Sequence, residues 1–330
     1  MKKIITVSAP GKLMLFGEHA VVYGKPCIVT AVNQRMFVMA EQTTTNELLF
    51  DAKDVGIKNY KKRIDALGKG QIPKAAQFVE IAIKNFFLCH PEFISGSHML
   101  GLKISTTSEF SSTYGFGSSS AVTVCIIKAL TELFEIKLSK KDIFDIAYKT
   151  VLDIQKIGSG VDIAAAVYGG TLYFVSGGKM IESLNIKPLP LVVGYSGSKA
   201  DTVTLLNGVK EKAKKYPEII TGIYTDIEKI VILAKKALIK NDLQTVGELM
   251  NFNQGYLESL GVSTDRLSNM IYAARNIGAY GAKLSGAGGG DCMIAIADKK
   301  HEEKVKQGIE QNGGQIIQIQ THAEGVRREL

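Results

Sequence analysis

Four stretches of the chain combine residue types that could handle an anion and move a proton. The first is "TYGFGSSSAVTV", Thr113–Val124. Gly115 and Gly117 permit positive φ and let a ligand approach the main chain closely. Ser118, Ser119 and Ser120 open an apolar run read as a helix. The first N–H groups of a helix lack an internal partner and carry partial positive charge. Together these features make an anion site, most naturally for phosphate. Serines that merely cap the helix are the plainer reading of the same string. The stretch has neither the Walker A spacing nor the Rossmann glycine pattern.

The second stretch, "LSGAGGGDC", holds Gly286, Gly288, Gly289 and Gly290 around Ala287. Each glycine costs about 0.5–1 kcal/mol against alanine, and a simple turn needs only one or two. This points to a loop facing phosphate or carboxylate. In the third, "SAPGKLMLFGEHAVVYG", Lys12, Glu18 and His19 punctuate an otherwise apolar segment, as residues lining a cleft would. In the fourth, "KIGSGVDIAAAVYGG", Asp162 stands directly before an apolar helix. It is either an N-cap or a general base held charged by a nearby cation.

These residues need a scaffold. The 330 residues suit two domains. "IITVSAP" reads as a strand stopped by Pro10 and Gly11, and residues 20–42 read as two strands around a Gly24–Pro26 turn. Residues 54–69 read as irregular with strand fragments, and residues 90–100 as a loop before the strand "GLKIST". Helical spacing covers residues 74–89, 118–134 and 139–155, with Ser139 as an N-cap. "GTLYFVSGG" reads as a strand. The second half, from about "LPLVVGYSG", carries helices at 200–215, 217–239, 243–260 and 265–277. A strand at 292–297, a helix at 301–311 and a final strand, "GQIIQIQTH", follow. Strands and helices mix without strict alternation, which gives an α+β class.

Composition narrows the rest. Hydrophobic residues are 45% and charged residues 22%, an ordinary globular balance. No apolar run reaches the roughly 18 residues that cross a bilayer, and the first residues lack the pattern of a signal peptide. The four cysteines form no C-x-x-C pair, and no Cys or His pair has zinc spacing. A reduced, cytoplasmic protein is the expectation. The net charge of +8 comes from lysines interleaved with acids, the pattern of a solvated surface and not of a nucleic-acid stripe.

The four stretches, in this order, resemble the small-molecule kinase superfamily named for galactokinase, homoserine kinase, mevalonate kinase and phosphomevalonate kinase (GHMP). "APGKLMLFGEHAVVYGKP" is very similar to the opening of mevalonate kinases, and residues 248–296 look like their C-terminal half. The resemblance implies a two-domain fold, 1–180 binding ATP and 181–330 following, with the active site in the cleft between. It implies ATP and Mg2+ as cofactors, mevalonate as the small-molecule substrate, and neither nucleic acid nor membrane as partner; it leaves a homodimer open. Tyr114, Gly115, Phe116, Gly117, Ser118, Ser119 and Ser120 would wrap the ATP phosphates, with Ser119 as a magnesium ligand. Asp162 would take the proton from the alcohol, and Lys12 would hold Asp162 ionised and stabilise the transferring phosphoryl group. Glu18, His19 and Thr202 would line the mevalonate pocket, and Gly286, Ala287, Gly288 and Gly289 would close over the reacting end. Asp54–Tyr60 resembles a segment near the nucleotide base.

Some residues depart from that pattern. The second motif lacks its usual proline and has Phe116 for leucine. Asp291 stands where mevalonate kinases more often carry a fourth glycine, and both features are closer to phosphomevalonate kinases. Ile163 replaces an asparagine. No glutamate precedes Asp162 at the usual distance, so Asp153 becomes the candidate second metal ligand. The expectation is an ATP-dependent mevalonate kinase. A phosphomevalonate kinase, a related ATP-using decarboxylase and a non-enzymatic anion binder are the alternatives.

Overall fold

The structure is a computed structural model that describes residues 3–93 and 101–329; residues 94–100 of the expected loop lie outside the described residues. Strand β1 (Ile4–Phe16) is buried along nearly its whole length. It pairs antiparallel with β2 (Pro26–Thr43), the longest strand. Pro10 and Gly11 do not stop β1 as the sequence reading expects. The register shifts between them, and pairing continues through Leu13 and Met14. A bulge is one of the few places where a sheet tolerates proline, and it bends the strand. The second expected difference lies at Ala20–Tyr23, which forms a short 3-10 turn and not a strand.

Strands β3 (Glu47–Ala52), β4 (Ile57–Arg63) and β5 (Gly101–Ser108) extend the first sheet, with β3–β5 its parallel pair. Helices α1 (Gln77–Cys89), α2 (Ser118–Leu133), α3 (Lys140–Gln155) and α4 (Val161–Tyr168) pack together beside it. Helix α2 lies on β1 and β2 and is apolar almost all round, as a buried helix must be. Strands β6 (Thr171–Val175) and β7 (Met180–Leu184) form a hairpin on β2. The second sheet is antiparallel. Strand β8 (Leu191–Tyr195) lies between β10 (Cys292–Ile296) and β11 (Gln315–Ile317), and β9 (Gly281–Ser285) is its edge. Around it are α5 (Thr202–Lys215), α6 (Pro217–Ile239), α7 (Leu243–Ser259), α8 (Asp265–Ile277) and α9 (Glu302–Gln311). This is the expected mixed α+β class.

The chain end returns to its beginning. Strand β12 (Arg327–Arg328) pairs with Val7 and Ser8. The buried Arg35 holds it there, donating to the carbonyls of Glu324 and Gly325 at 2.8 Å and to Ser8 Oγ at 2.6 Å. The buried apolar cluster is continuous from Ile5 in the first sheet to Ile317 in the second. The two sheets therefore present β1, α2, α4 and the loop before β10 to one another as a fixed frame.

Candidate active site

Three elements converge on Lys12. Just past the bulge in β1, its N–H donates to Phe116 O at 3.0 Å. Its ammonium donates to Gly115 O at 2.9 Å and lies 3.5 Å from Asp162 Oδ1. Lys12 is only 6% exposed, whereas the Asp162 side chain is 37% exposed. One partner is thus fixed in the wall and the other reaches the cleft. Asp162 is the second residue of α4, and the N-cap is Gly160 in the left-handed region at φ 88. The capping reading of Asp162 therefore fails. The carboxylate is left for Lys12, at a helix end whose dipole favours negative charge.

The phosphate-loop candidate is built the same way. The N-cap of α2 is Gly117 at φ 80, and no side chain caps the helix. The first bond inward from this end is Ala121 N–H to Gly117 O. Serines that cap the helix are not what the chain uses. Phe116 is buried against Phe110 and Tyr114, and Tyr114 rests against Tyr195 with ring centres 5.0 Å apart. These rings anchor the loop, so its backbone is the part that faces outward. A cleft of about 480 Å³ opens beside it. Phe50, Phe78 and Val122 line one part, and Ser111, Ser118 and Ser119 another. An apolar slot ending in polar groups suits a flat ring carrying phosphates. Asp54 and Val55 also line it, and the Asp54 carboxylate accepts from Ser108 N–H at 2.8 Å.

On the far side of Lys12, Glu18 and His19 divide their roles. His19 has φ 60 and ψ −52, a strained backbone for a non-glycine residue. Its Nε2 donates to Ala287 O at 2.8 Å, and its Nδ1 is buried without a partner. Burial lowers its pKa from 6.5, opposed by the Ala287 carbonyl. Neutral His19 therefore presents Nδ1 as a free acceptor. Glu18 departs from the expectation that it lines the pocket. It is fully buried in an ion pair with the equally buried Lys283. Burial lowers the Lys283 pKa, opposed by Glu18. Removing either partner would leave an unpaired buried charge. Glu18 thus fixes the main chain beside His19 from behind. Lys283 escaped the sequence reading, although a lysine inside "GAKLS" before an apolar strand was a visible signal.

The second glycine loop is largely occupied by packing. Gly289 N–H donates to Val262 O at 2.7 Å. A Cβ on Gly288 would lie 2.1 Å from Val262 O, and one on Gly289 would lie 2.7 Å from Leu205. Only Gly286, of the residues in this loop read as substrate-facing, has open space beside its Cα. Thr202 is the exposed first residue of α5, one turn before Leu205. Asp153 departs from its expected metal role. Its Oδ2 accepts from Lys149 at 2.8 Å and Asn85 at 2.9 Å, a link between α3 and α1. Those partners lower its pKa against the effect of its partial burial.

Among the described residues, no cluster of three or more His, Cys, Asp or Glu could hold a metal by itself. Magnesium often uses one or two protein oxygens and takes the rest from phosphates and water, and Ser119, lining the cleft at the front of α2, fits that kind of site. Asp291, unassigned by the sequence reading, is 8% exposed and sits at φ 56. A Cβ on Gly115 would lie 2.4 Å from its Oδ2. Burial raises its pKa, countered by the Ala200 N–H and then by Lys12 and Lys199.

The chain is similar to known proteins along its length. Residues 77–170 match the GHMP kinases N terminal domain, and residues 234–315 match the GHMP kinases C terminal family. The mevalonate kinase of Pyrococcus abyssi is 37% identical over 100% of this chain and 99% of its own. The crystal structure of a Lin0012 protein from Listeria innocua superposes with a TM-score of 0.87 at 26% identity, covering 99% of both chains. That of L. major mevalonate kinase in complex with R-mevalonate gives 0.76 at 26% identity, covering 98% of this chain and 96% of its own. With a full-length relative at that identity, and with both the N-terminal and the C-terminal family models matched, the chain belongs to the GHMP kinase family.

Proposed function

We propose that this chain transfers the γ-phosphoryl group of ATP to the primary (C5) hydroxyl of mevalonate. The observation that carries the reading is the half-exposed Asp162 carboxylate 3.5 Å from the buried Lys12 ammonium, at the front of the uncapped α2. As a GHMP kinase the chain uses ATP. Phosphoryl transfer asks for positioning and charge stabilisation more than for covalent chemistry. The loop Tyr114–Ser120 offers backbone N–H groups to the phosphates. Asp162 accepts the proton of the acceptor hydroxyl, and Lys12 pairs with Asp162 and faces the charge that builds on the transferring group. When bound, magnesium supplies charge neutralisation between the phosphates, and Ser119 would hold it. His19, held by Ala287 O, and the opening beside Gly286 flank the place for the acceptor. The relatives named mevalonate kinase support the choice of acceptor. Residues 1–180 supply nearly all of the cleft lining and Lys199 joins it from residues 181–330.

A second reading, with 5-phosphomevalonate as acceptor, is favoured by Asp291 in "GGGDC". ADP release measured with each acceptor decides between them. Release with mevalonate is the expected result; release only with the phosphorylated acid would overturn the proposal, and evolution of carbon dioxide would indicate a lyase.

A further inference from the structure

One motif residue, Asp291, has no part in the chemistry above, yet three hydrogen bonds are built around it. Its N–H donates to Ser198 O at 2.8 Å, its O accepts from Ser196 N–H at 2.9 Å, and its Oδ1 accepts from Ala200 N–H at 2.9 Å. The segment 196–200 is thus gripped on both sides of Lys199. A further anchor comes from Arg266, which donates to Ser196 O at 2.9 Å. The neighbouring Gly290 sits so close that a Cβ there would meet Ser198 O at 2.7 Å. Lys199 itself is exposed, and it lines the same cleft as Ser118 and Ser119 although it comes from the other half of the chain. The Asp291 carboxylate also lies beside Gly115, where a Cβ would come within 2.4 Å of Oδ2, so one side chain stands between segment 196–200 and the phosphate loop. A left-handed backbone costs an aspartate free energy that glycine would not incur. The carboxylate is what the chain obtains at that position.

We propose that Lys199 binds the polyphosphate of the nucleotide from segment 196–200, and that Asp291 is the positioning residue that presents it there. The inference rests on the reading that the cleft holds ATP. It gives the site a further cation besides Lys12 and Lys74, this one contributed by the second half of the chain. Lysine suits this role as a flexible point charge for phosphate.

The test is equilibrium binding of a fluorescent ATP analogue with magnesium to the full chain, followed by steady-state kinetics. Lys199→Met should weaken binding about tenfold, and Lys199→Arg should stay within about threefold of the parent, because charge-assisted contacts to phosphate carry such differences. Asp291→Ala should weaken binding through Lys199 and raise KM for ATP more than it lowers kcat. Asp291→Asn, which still offers an acceptor to Ala200 N–H, should bind like the parent. The double variant Lys199→Met/Asp291→Ala should bind no worse than Lys199→Met alone, because the two act as one unit. Parent-like binding by Lys199→Met, or effects that multiply in the double variant, would overturn the proposal. Should Asp291→Ala fail to fold, Lys199→Met and Asp291→Asn still decide: loss in the first with retention in the second supports the latch, and any other pattern refutes it. A parent chain that binds no nucleotide would remove the underlying reading. A parent that binds it with no help from Lys199 removes only this inference.

Discussion

The two glycine-rich stretches look alike on paper and do different work. At Tyr114–Ser120, the side chains of Tyr114 and Phe116 are anchored inward, and the front of α2 is left without a side-chain cap. At Gly286–Gly290, the missing side chains make room for protein. Gly288 fits against Val262, Gly289 against Leu205 and Gly290 against Ser198. In the second stretch the Gly289 N–H is already bonded to Val262 O, whereas the first bond inward from the front of α2 is that of Ala121. Glycine marks a backbone that must be approached closely, but the approaching atom can belong to a ligand or to the next loop. Counting glycines cannot separate the two; what packs beside each Cα must be known.

The sharpest way to break this division is to remove the group that the first stretch serves. Asp162→Asn keeps the shape of the site and removes the base. Turnover should fall about 10²–10⁴-fold, with affinity for an ATP analogue near that of the parent. Single-turnover kinetics and analogue binding on the same preparation check this. A variant with near-parent turnover would show that the first stretch serves binding alone. Next in size is a pair of alanine substitutions in the second stretch. Gly288→Ala would place Cβ 2.1 Å from Val262 O at φ 81, costing about 2–5 kcal/mol of stability from backbone and overpacking together. Gly286→Ala has open space at φ 101 and should cost only about 1–2 kcal/mol. Urea unfolding of both variants measures the gap, and equal losses would mean that packing does not explain the loop. Smaller still is Gly117→Ala, whose Cβ would meet Asp162 and Lys12 at ordinary contact distances of 3.4–3.5 Å. It should lose about 1–2 kcal/mol of stability for its φ and show its main defect in nucleotide affinity.

What the sequence disclosed follows from how local each device is. The cap at Ser139 was legible because Ser139 and Asp142, three residues apart, bond to each other's N–H groups. The ends of α6 and α8 were legible from Pro217, Thr264 and Gly278. Asp162 was ambiguous because helix caps and catalytic acids use the same residue types. Only the left-handed Gly160, which takes the cap position, separates them. Glu18 was misjudged because its partner Lys283 lies 265 residues away. The partners of Asp153 were only half legible, because Lys149 is one turn back but Asn85 comes from another helix. The run of β1 through Pro10 was hidden because a bulge is a property of the pair and not of the single strand.

The smallest effect concerns a contact that joins the second glycine stretch to the segment of Lys12 and His19, that of His19 with Ala287. The carbonyl can only accept, so Nε2 carries the proton and Nδ1 is bare. Protonation would place a charge in a buried site, which is why burial lowers the pKa from 6.5. The unfolded chain, with histidine at its ordinary value, binds that proton more readily than the folded chain does. Stability from this residue is therefore full above about pH 6.5 and is lost as pH falls toward the lower folded value. The slope cannot exceed one proton, about 1.4 kcal/mol per pH unit. His19→Gln can still donate to Ala287 O through its amide and cannot titrate. Unfolding in urea at pH 7.5 and 5.5 should show the parent losing more stability than this variant between the two conditions. Equal losses would mean that His19 is hydrated in the fold, and the acceptor pocket would then be open at the place where it is closed by Ala287.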